Sequence, residues 1–401
     1  MANREVYLDH AATTPIDERV LGSMRPFLLE NFGNPSSFHM MGKVVRDAID
    51  DAREKVAVAL GARPDEILFT SGGSESDNLA VLGVARAHIE HGKHIVSLRT
   101  EHQAVAEPLY HLEKKEGFEV TYVDVDREGL VDAQAVIDAI RPDTTLVTIL
   151  YANNEIGVIQ PISEIGNKIQ KMREETKTRY PLFHTDACQA VGTLEVDVNK
   201  LHVDLMTINS SKIYGPKGVG ALYVHRGIKL RSLQFGGAQE RGIRPGTENV
   251  IGIVGFGTAI EIAAEEREQY NEKVTPLRDY CIEQLLSVIP KTRLNGHPTK
   301  RLANNVNISF MDVEGEALLL YLDASGIYAS TGSACTSASL DPSHVILALG
   351  LPYEVAHGSL RFSLGRSTTK EDIDYLVATL PALVERLRKI SPVSVDEKYF
   401  R

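Results

Sequence analysis

The sequence predicts an α/β protein: a large domain on a mostly parallel sheet, joined to a smaller α+β domain. Three observations carry that expectation. Between Glu66 and Val224, short apolar runs of strand length alternate with amphipathic stretches of helix length. Five of those runs end in polar turns that bear Ser74, His102, Asn154, Asp186 and Lys212, as a doubly wound sheet with a ligand at its carboxyl edge requires. After a long helical region the alternation stops, and residues 304–330 read as two strand-like pieces around a helix. A chain of 401 residues exceeds what one small core organises. The expected division is 15–258 for the large domain and 1–14 with 259–401 for the small one.

In chain order, Val6 to Leu8 is a short strand followed by the turn-forming run DHAATTP, and Asp17 to Leu29 is helical. From Gly42 to Leu60 the apolar positions Val45, Ile49, Ala52, Val56 and Ala59 step by four and three, with Gly61 at the C-terminal stop. Glu66 to Thr70 is a strand running directly into SGGSESDN and then a helix. A glycine-rich turn at a helix start presents backbone N–H groups at the positive end of the dipole, which suits a phosphate, with Gly73 and Ser74 as nearest donors. An ordinary N-cap would use the same residue types.

His94 to Leu98 delivers Thr100-Glu101-His102, where an imidazole could stack on a planar ligand and move protons near neutral pH. Strands at Val120 to Val125 and Thr145 to Leu150 follow, with helices near 131–140 and 161–175, and YANNEIGVIQP places Asn153 and Asn154 in a turn at the same edge. Leu182 to Thr185 delivers Asp186, Leu205 to Ile208 delivers Ser210, Ser211 and Lys212, and Val219 to Val224 leads away. A lysine on a short polar turn is available to condense with a carbonyl. The carbonyl cofactor that uses such a lysine, with an aspartate on its pyridine nitrogen, is pyridoxal phosphate. A dinucleotide is excluded: no G-x-G-x-x-G follows the first strand, and GPKGVG lacks P-loop spacing.

GGAQERGIRPGTENV is a glycine- and arginine-rich connection, and Thr247 offers another hydroxyl. Val254 to Ile289 is read as helix interrupted at Pro276, Arg361 lies on a strand-like run where its guanidinium would fork onto a carboxylate, and the last ten residues read as a tail. Cys188, Cys281 and Cys335 are odd in number and widely spaced, which argues against a disulfide framework and for a reducing, cytoplasmic setting; no metal site is expected. Cys188 and Cys281 read as core residues. Cys335, within STGSACTSASLDPS, is set among small polar residues in a loop, as an accessible reactive thiol would be. A net charge of −11 with no cationic run gives no reason to expect nucleic acid or an anionic membrane as partner, and no secretion or insertion signal is visible.

The motifs YLDHAATTP, TSGGSESDN, TEHQAV, NNEIGV, HTDACQAVG, KIYGPKGVGALY, RPGTENV, GSACTSAS and SLRFSLGR, in this order across nearly the whole chain, resemble the class V branch of the fold-type I pyridoxal phosphate-dependent transferases, and within it the cysteine desulfurases. The resemblance implies that Lys212 holds the cofactor as a Schiff base, that Asp186 and Gln189 hold its pyridine nitrogen and phenolic oxygen, and that His102 stacks on the ring. It implies phosphate contacts from Gly73, Ser74, Ser210 and, across a homodimer, Thr247. Asn154 and Arg361 become the clamp on the substrate carboxylate, and Cys335 the thiol that takes sulfur from L-cysteine. It further implies a sulfur-acceptor protein, either an iron–sulfur scaffold or a tRNA-thiolation enzyme. Ser211 stands where many members have His, and Ser74 where many have Thr. Selenocysteine lyase or an aminotransferase-like enzyme is the alternative on the same site, and a catalytically idle cofactor-binding partner protein the alternative from another class.

Overall fold

A computed structural model describes residues 4–332, 342–392 and 394–400. Cys335 lies outside them. Thirteen strands are found among the described residues: β1 Val6–Tyr7, β2 Ile67–Thr70, β3 His94–Leu98, β4 Glu119–Val123, β5 Thr144–Thr148, β6 Leu182–Asp186, β7 Leu205–Asn209, β8 Gly220–Val224, β9 Thr292–Leu294, β10 Asn305–Phe310, β11 Ile327–Tyr328, β12 Ser330–Thr331 and β13 Ser359–Ser363. Seven form the central sheet in the order β2-β8-β7-β6-β5-β3-β4. Only β8 runs against its neighbours; the other pairings are parallel.

Side-chain alternation splits each strand between two cores, as a sheet covered on both faces demands. Phe69, Val96, Val147, Phe183 and Met206 join one core, which holds the helices Met40–Leu60 and Val250–Glu265. Their neighbours Leu68, Ile95, Leu146, Leu182 and Leu205 join the other, under the helix Gly73–Ala87. The first two helices cross closely at Gly257, where a Cβ would lie 2.7 Å from the Ala52 Cα. The helix stop at Gly61 is left-handed, with φ 64°.

A second sheet, β12-β13-β10-β9, is antiparallel throughout. It packs in a separate core with Val274, Cys281, Leu285, Leu376 and Leu380. The N-terminal segment belongs to that core through Val6 and Leu8, and β1 pairs in parallel with β11. It then crosses back as a strap beneath the lysine turn: Thr14 N–H donates to the Ser211 carbonyl at 3.0 Å, and Asp17 N–H to the Tyr214 carbonyl at 2.9 Å.

Three local expectations need correction. The long helix is two, Val250–Glu265 and Arg267–Val288, parted at Glu266, while Pro276 sits inside the second. Pro276 and Glu272 are exposed, so water can serve the carbonyl that the proline leaves without a donor. The stretch from Asp17 to Leu29 is likewise two short helices, the second started by Pro26, whose missing N–H costs nothing at a first turn. The C-terminus is no free tail: Val395 is buried with Ile156, Met311 and Leu349, Tyr399 and Phe400 pack beside it, and Val395 N–H donates to Asp312 Oδ1 at 2.8 Å. Among the described residues no helix is long and apolar enough to cross a membrane.

Candidate active site

At the carboxyl edge of the central sheet a cavity of about 240 Å³ opens between the strand ends, the strap and β13. The turn after β2 contributes Gly73 and Ser74, the turn after β3 His102, and the turn after β5 Asn154. Strand β6 contributes Asp186 with Gln189 beyond it, and β7 leads to Lys212. Arg361 enters from the second sheet.

The helix Gly73–Ala87 starts at the cavity, and its N-cap Gly72 offers no side chain to the first N–H groups. Those donors therefore face the cavity end of the helix unsatisfied by a cap, which fits an anionic group such as a phosphate. Gly72 has φ 152°, and the facing Gly220 approaches so closely that a Cβ there would lie 2.8 Å from the Gly72 Cα. Two glycines are thus required for the loop to lie against the sheet.

Lys212 rises from a turn tied at several points. The Ser210 carbonyl accepts from the N–H groups of Ile213 and Gly215, each at 3.1 Å. Tyr214 takes a left-handed φ of 62°, held by its N–H donating to Thr14 Oγ1 at 2.8 Å and its hydroxyl accepting from Arg366 N–H at 2.6 Å. Lys212 Nζ donates to the carbonyls of Ala11 and Ala12 at 2.7 and 2.5 Å, and Gln189 Nε2 donates to the Ala11 carbonyl at 3.0 Å. The strap therefore sets where both side chains point.

Ser210 and Thr247 are not brought to this cavity. Ser210 is fully buried behind the turn, and its hydroxyl lies so near Gly215 that a Cβ there would be 2.0 Å away. Asn209 lines the wall instead, its amide nitrogen 3.3 Å from where a Gly73 Cβ would stand. The reversal follows from the pleat, because one step along the chain moves a side chain to the other face. Thr247 is exposed.

His102 caps the next helix: its Nδ1 accepts from Ala104 N–H at 3.1 Å, which leaves the proton of a neutral ring on Nε2. Asp186 Oδ1 accepts from Cys188 N–H at 2.9 Å. Burial pushes the Cys188 thiol far up, with the negative charge of Asp186 adding to the effect, so this thiol is a wall group and a poor nucleophile. Arg361 is only 2 % exposed and already engaged, donating to Asp9 Oδ1 and to the Asn154 carbonyl, both at 2.9 Å.

A family model described as aminotransferase class-V matches residues 6–376. The chain belongs to the class-V aminotransferase family. Its relatives in that family include a protein named cysteine desulfurase IscS from Methanosarcina thermophila, 53% identical over 395 residues, covering 98% of this chain and 96% of the relative. A second protein of the same name, from Dictyoglomus turgidum, is 53% identical over 396 residues and covers 98% of both. Among solved structures, a NifS-like protein superposes with TM-score 0.88 at 37% identity, covering 96% of this chain and all of that one. A structure titled SspA in complex with cysteine superposes with TM-score 0.78 at 37% identity, covering 91% and 100%.

This class-V site also contains residues that reading the sequence did not single out. Asp77 and Glu101 are fully buried beside Asp186, and burial raises both well above the usual carboxylate range. Asp77 could have been flagged, because it shares a helix face with Ala80, Val81 and Val84, the face turned to the sheet. Glu155 lines the cavity, and Ser343 hydrogen-bonds to its carboxylate. A Cβ on Gly332 would lie 2.4 Å from Glu155 Oε2 and 3.3 Å from Ser343 Cβ. The residues flanking the Cys335 segment therefore meet at the wall of the cavity. No sequence signal pointed to that, since Glu155 and Ser343 are 188 positions apart.

Proposed function

We propose that the chain is a pyridoxal phosphate-dependent cysteine desulfurase that converts L-cysteine to L-alanine and takes the sulfur onto Cys335 as a persulfide. The observation that carries this is the meeting, on one cavity, of an open helix N-terminus, Asp186, Lys212 and a buried arginine, beside the flanks of the segment bearing Cys335. The cofactor, when bound, supplies an electron sink conjugated to the substrate carbons. In this reading Gly73, Ser74 and Asn209 bind its phosphate, Asp186 and Gln189 its ring polar atoms, and His102 its face. Lys212 Nζ moves the proton at the substrate Cα. Arg361 and Asn154 orient the substrate carboxylate, and the solved relative holding cysteine supports that amino acid as substrate.

The Cys335 thiolate attacks the substrate sulfur. The S–S bond forms as the Cβ–S bond breaks, the electron pair goes to the carbon side, and Cβ takes up a proton to become the methyl of alanine. The persulfide then passes by thiol exchange to an acceptor protein, an iron–sulfur scaffold or a tRNA-thiolation enzyme, in a reducing cytoplasm. A homodimer completes the site through Thr247 of each subunit. Exposed Leu29, Phe32, Phe38, Met40 and Phe235 support such an interface. We assign the cofactor to residues 15–258, and residues 1–14 with 259–401 to a smaller unit that carries the thiol.

The test is to follow alanine and protein-bound persulfide from L-cysteine, with L-selenocysteine in parallel. Cys335→Ser should keep the bound cofactor and lose both products by orders of magnitude. Undiminished persulfide in that variant, or turnover of selenocysteine alone, overturns the reading.

A further inference from the structure

Beneath Asp186 lies a second carboxyl group that the roles above do not use. Asp77 sits on the sheet-facing side of the helix Gly73–Ala87 and is 1 % exposed. Its close polar neighbours are the Asp186 carboxyl and the Thr207 hydroxyl. Asp77, His102 and Asp186 each bring an atom within 4.8 Å of the others. The imidazole of His184 stands 3.7 Å from Asp77 Oδ1. That ring is already engaged at both nitrogens, Nδ1 with Thr148 Oγ1 at 2.9 Å and Nε2 with Thr207 Oγ1 at 3.1 Å. Burial pushes its pKa down to about 4, so it brings no charge at neutral pH. Glu101, the other acid facing this region, spends Oε1 on Leu150 N–H, and the Cys188 thiol stays protonated.

We infer that Asp77 is a positioning residue: it carries the proton of a carboxyl pair with Asp186 and donates it as a hydrogen bond, leaving Asp186 as the anion that faces the cavity. Two adjoining carboxylates cannot both ionise in a buried site without a cation between them, and among the described residues no lysine or arginine forms an ion pair with Asp77. The choice between the two follows from their donors. Both carboxyl groups reach the cavity wall, but Asp186 is the more exposed, 8 % against 1 %, and it alone of the two accepts a backbone N–H, from Cys188. Asp77 Oδ1 is buried with no hydrogen bond from any described residue, a setting that an ionised oxygen does not survive. The direction in which burial moves Asp77 agrees. Resting on the functional reading above, the consequence is that the hydrogen bond from Asp77 holds the Asp186 carboxyl group turned toward a ring nitrogen bound in the cavity.

The measurement is infrared difference spectroscopy of the full-length holoprotein at neutral pH, wild type minus Asp77→Asn. A carbonyl band of a protonated carboxylic acid should disappear with Asp77; loss of carboxylate bands alone overturns the proposal. If Asp77→Asn does not fold, Thr207→Val supplies the same information, because removing the hydroxyl beside Asp77 should shift that acid band, and an unmoved band is decisive against it. Cofactor affinity gives a second readout. Asp77→Asn keeps a donor and should bind within about threefold of wild type, while Asp77→Leu, with no donor, should weaken binding about tenfold or more. Equal losses in both would reduce Asp77 to packing. The infrared result does not depend on cysteine turnover, so its failure is separable from failure of the desulfurase reading.

Discussion

The two walls of the cavity are built on different principles. On the sheet wall every group stands at the end of its own strand on a locally bonded turn, Asp186 by the Cys188 N–H and Lys212 by the bonds around Ser210, and the strap only aims the Lys212 and Gln189 side chains. On the opposite wall nothing is local. Arg361 is held by Asp9, 352 positions away, and Ser343 by Glu155, 188 positions away. The first wall is a property of a parallel sheet, where crossover connections bring successive turns to one edge. The second exists only once the strap and the antiparallel sheet have closed over it. Changes on the sheet wall should therefore remove chemistry while sparing the fold, and changes on the other should cost stability as well.

Lys212→Ala tests the first half of that contrast with the largest effect. The turn bonds run through the backbone of Ser210 and through Tyr214, so the fold should be kept while covalent attachment of the cofactor, its visible absorbance and alanine release are lost together. Turnover within tenfold of wild type would assign the chemistry to another residue.

Asp9→Ala tests the second half. It leaves the Arg361 guanidinium, 2 % exposed, with the Asn154 carbonyl but without its carboxylate. Breaking a buried pair from one side costs about 3–5 kcal/mol. Denaturant unfolding should show a loss of that order, accompanied by a raised KM for cysteine. A variant as stable as wild type would mean that the second wall is organised without this pair.

Each wall also contains a buried histidine whose pKa burial lowers from 6.5 to about 4: His184 in β6 and His10 in the strap. A depressed histidine binds its proton more weakly folded than unfolded, so the unfolded state gains as pH falls below 6.5, and the loss saturates near pH 4. Each contributes a loss on the order of 3 kcal/mol across that window. His184→Gln and His10→Asn should each flatten the dependence of stability on pH between 6.5 and 4. An effect from His10 alone would show that acid opens the strap before it touches the sheet.

The same contrast explains what could be read from the sequence. Ser74, His102, Asn154, Asp186 and Lys212 were legible because each follows an apolar run in a polar turn, and the sheet aligns such turns without further information. Asp9 was not, because nothing in DHAATTP states that it will meet a β-strand near the other end of the chain. Asp77 was hidden for another reason: it reads as one polar residue in a helix, and only the face shared with Ala80, Val81 and Val84 marks it as buried. The continuity of the helix through Pro276 and the packed C-terminus are not legible because solvent exposure decides both, and exposure is settled by tertiary packing.

The smallest effect discriminates most finely, since it concerns single steps along one turn. The three residues before Lys212 are Asn209, Ser210 and Ser211, and the pleat sends their side chains in different directions. Asn209 lines the cavity beside Gly73, while Ser210 points into the protein against Gly215. The Ser211 hydroxyl reaches Asn209 Oδ1 only at 3.4 Å, long for an O–H···O bond. Asn209→Ala should therefore weaken binding of the cofactor by about 1–2 kcal/mol, in the range of a hydrogen bond to a charged group. Ser211→Ala should cost at most about 0.5 kcal/mol, and Ser210→Ala should leave affinity unchanged. Titrating the apoprotein of each variant with pyridoxal phosphate measures all three. A loss at Ser210 equal to that at Asn209 would place the phosphate behind the turn, where the geometry of Gly215 leaves it no room.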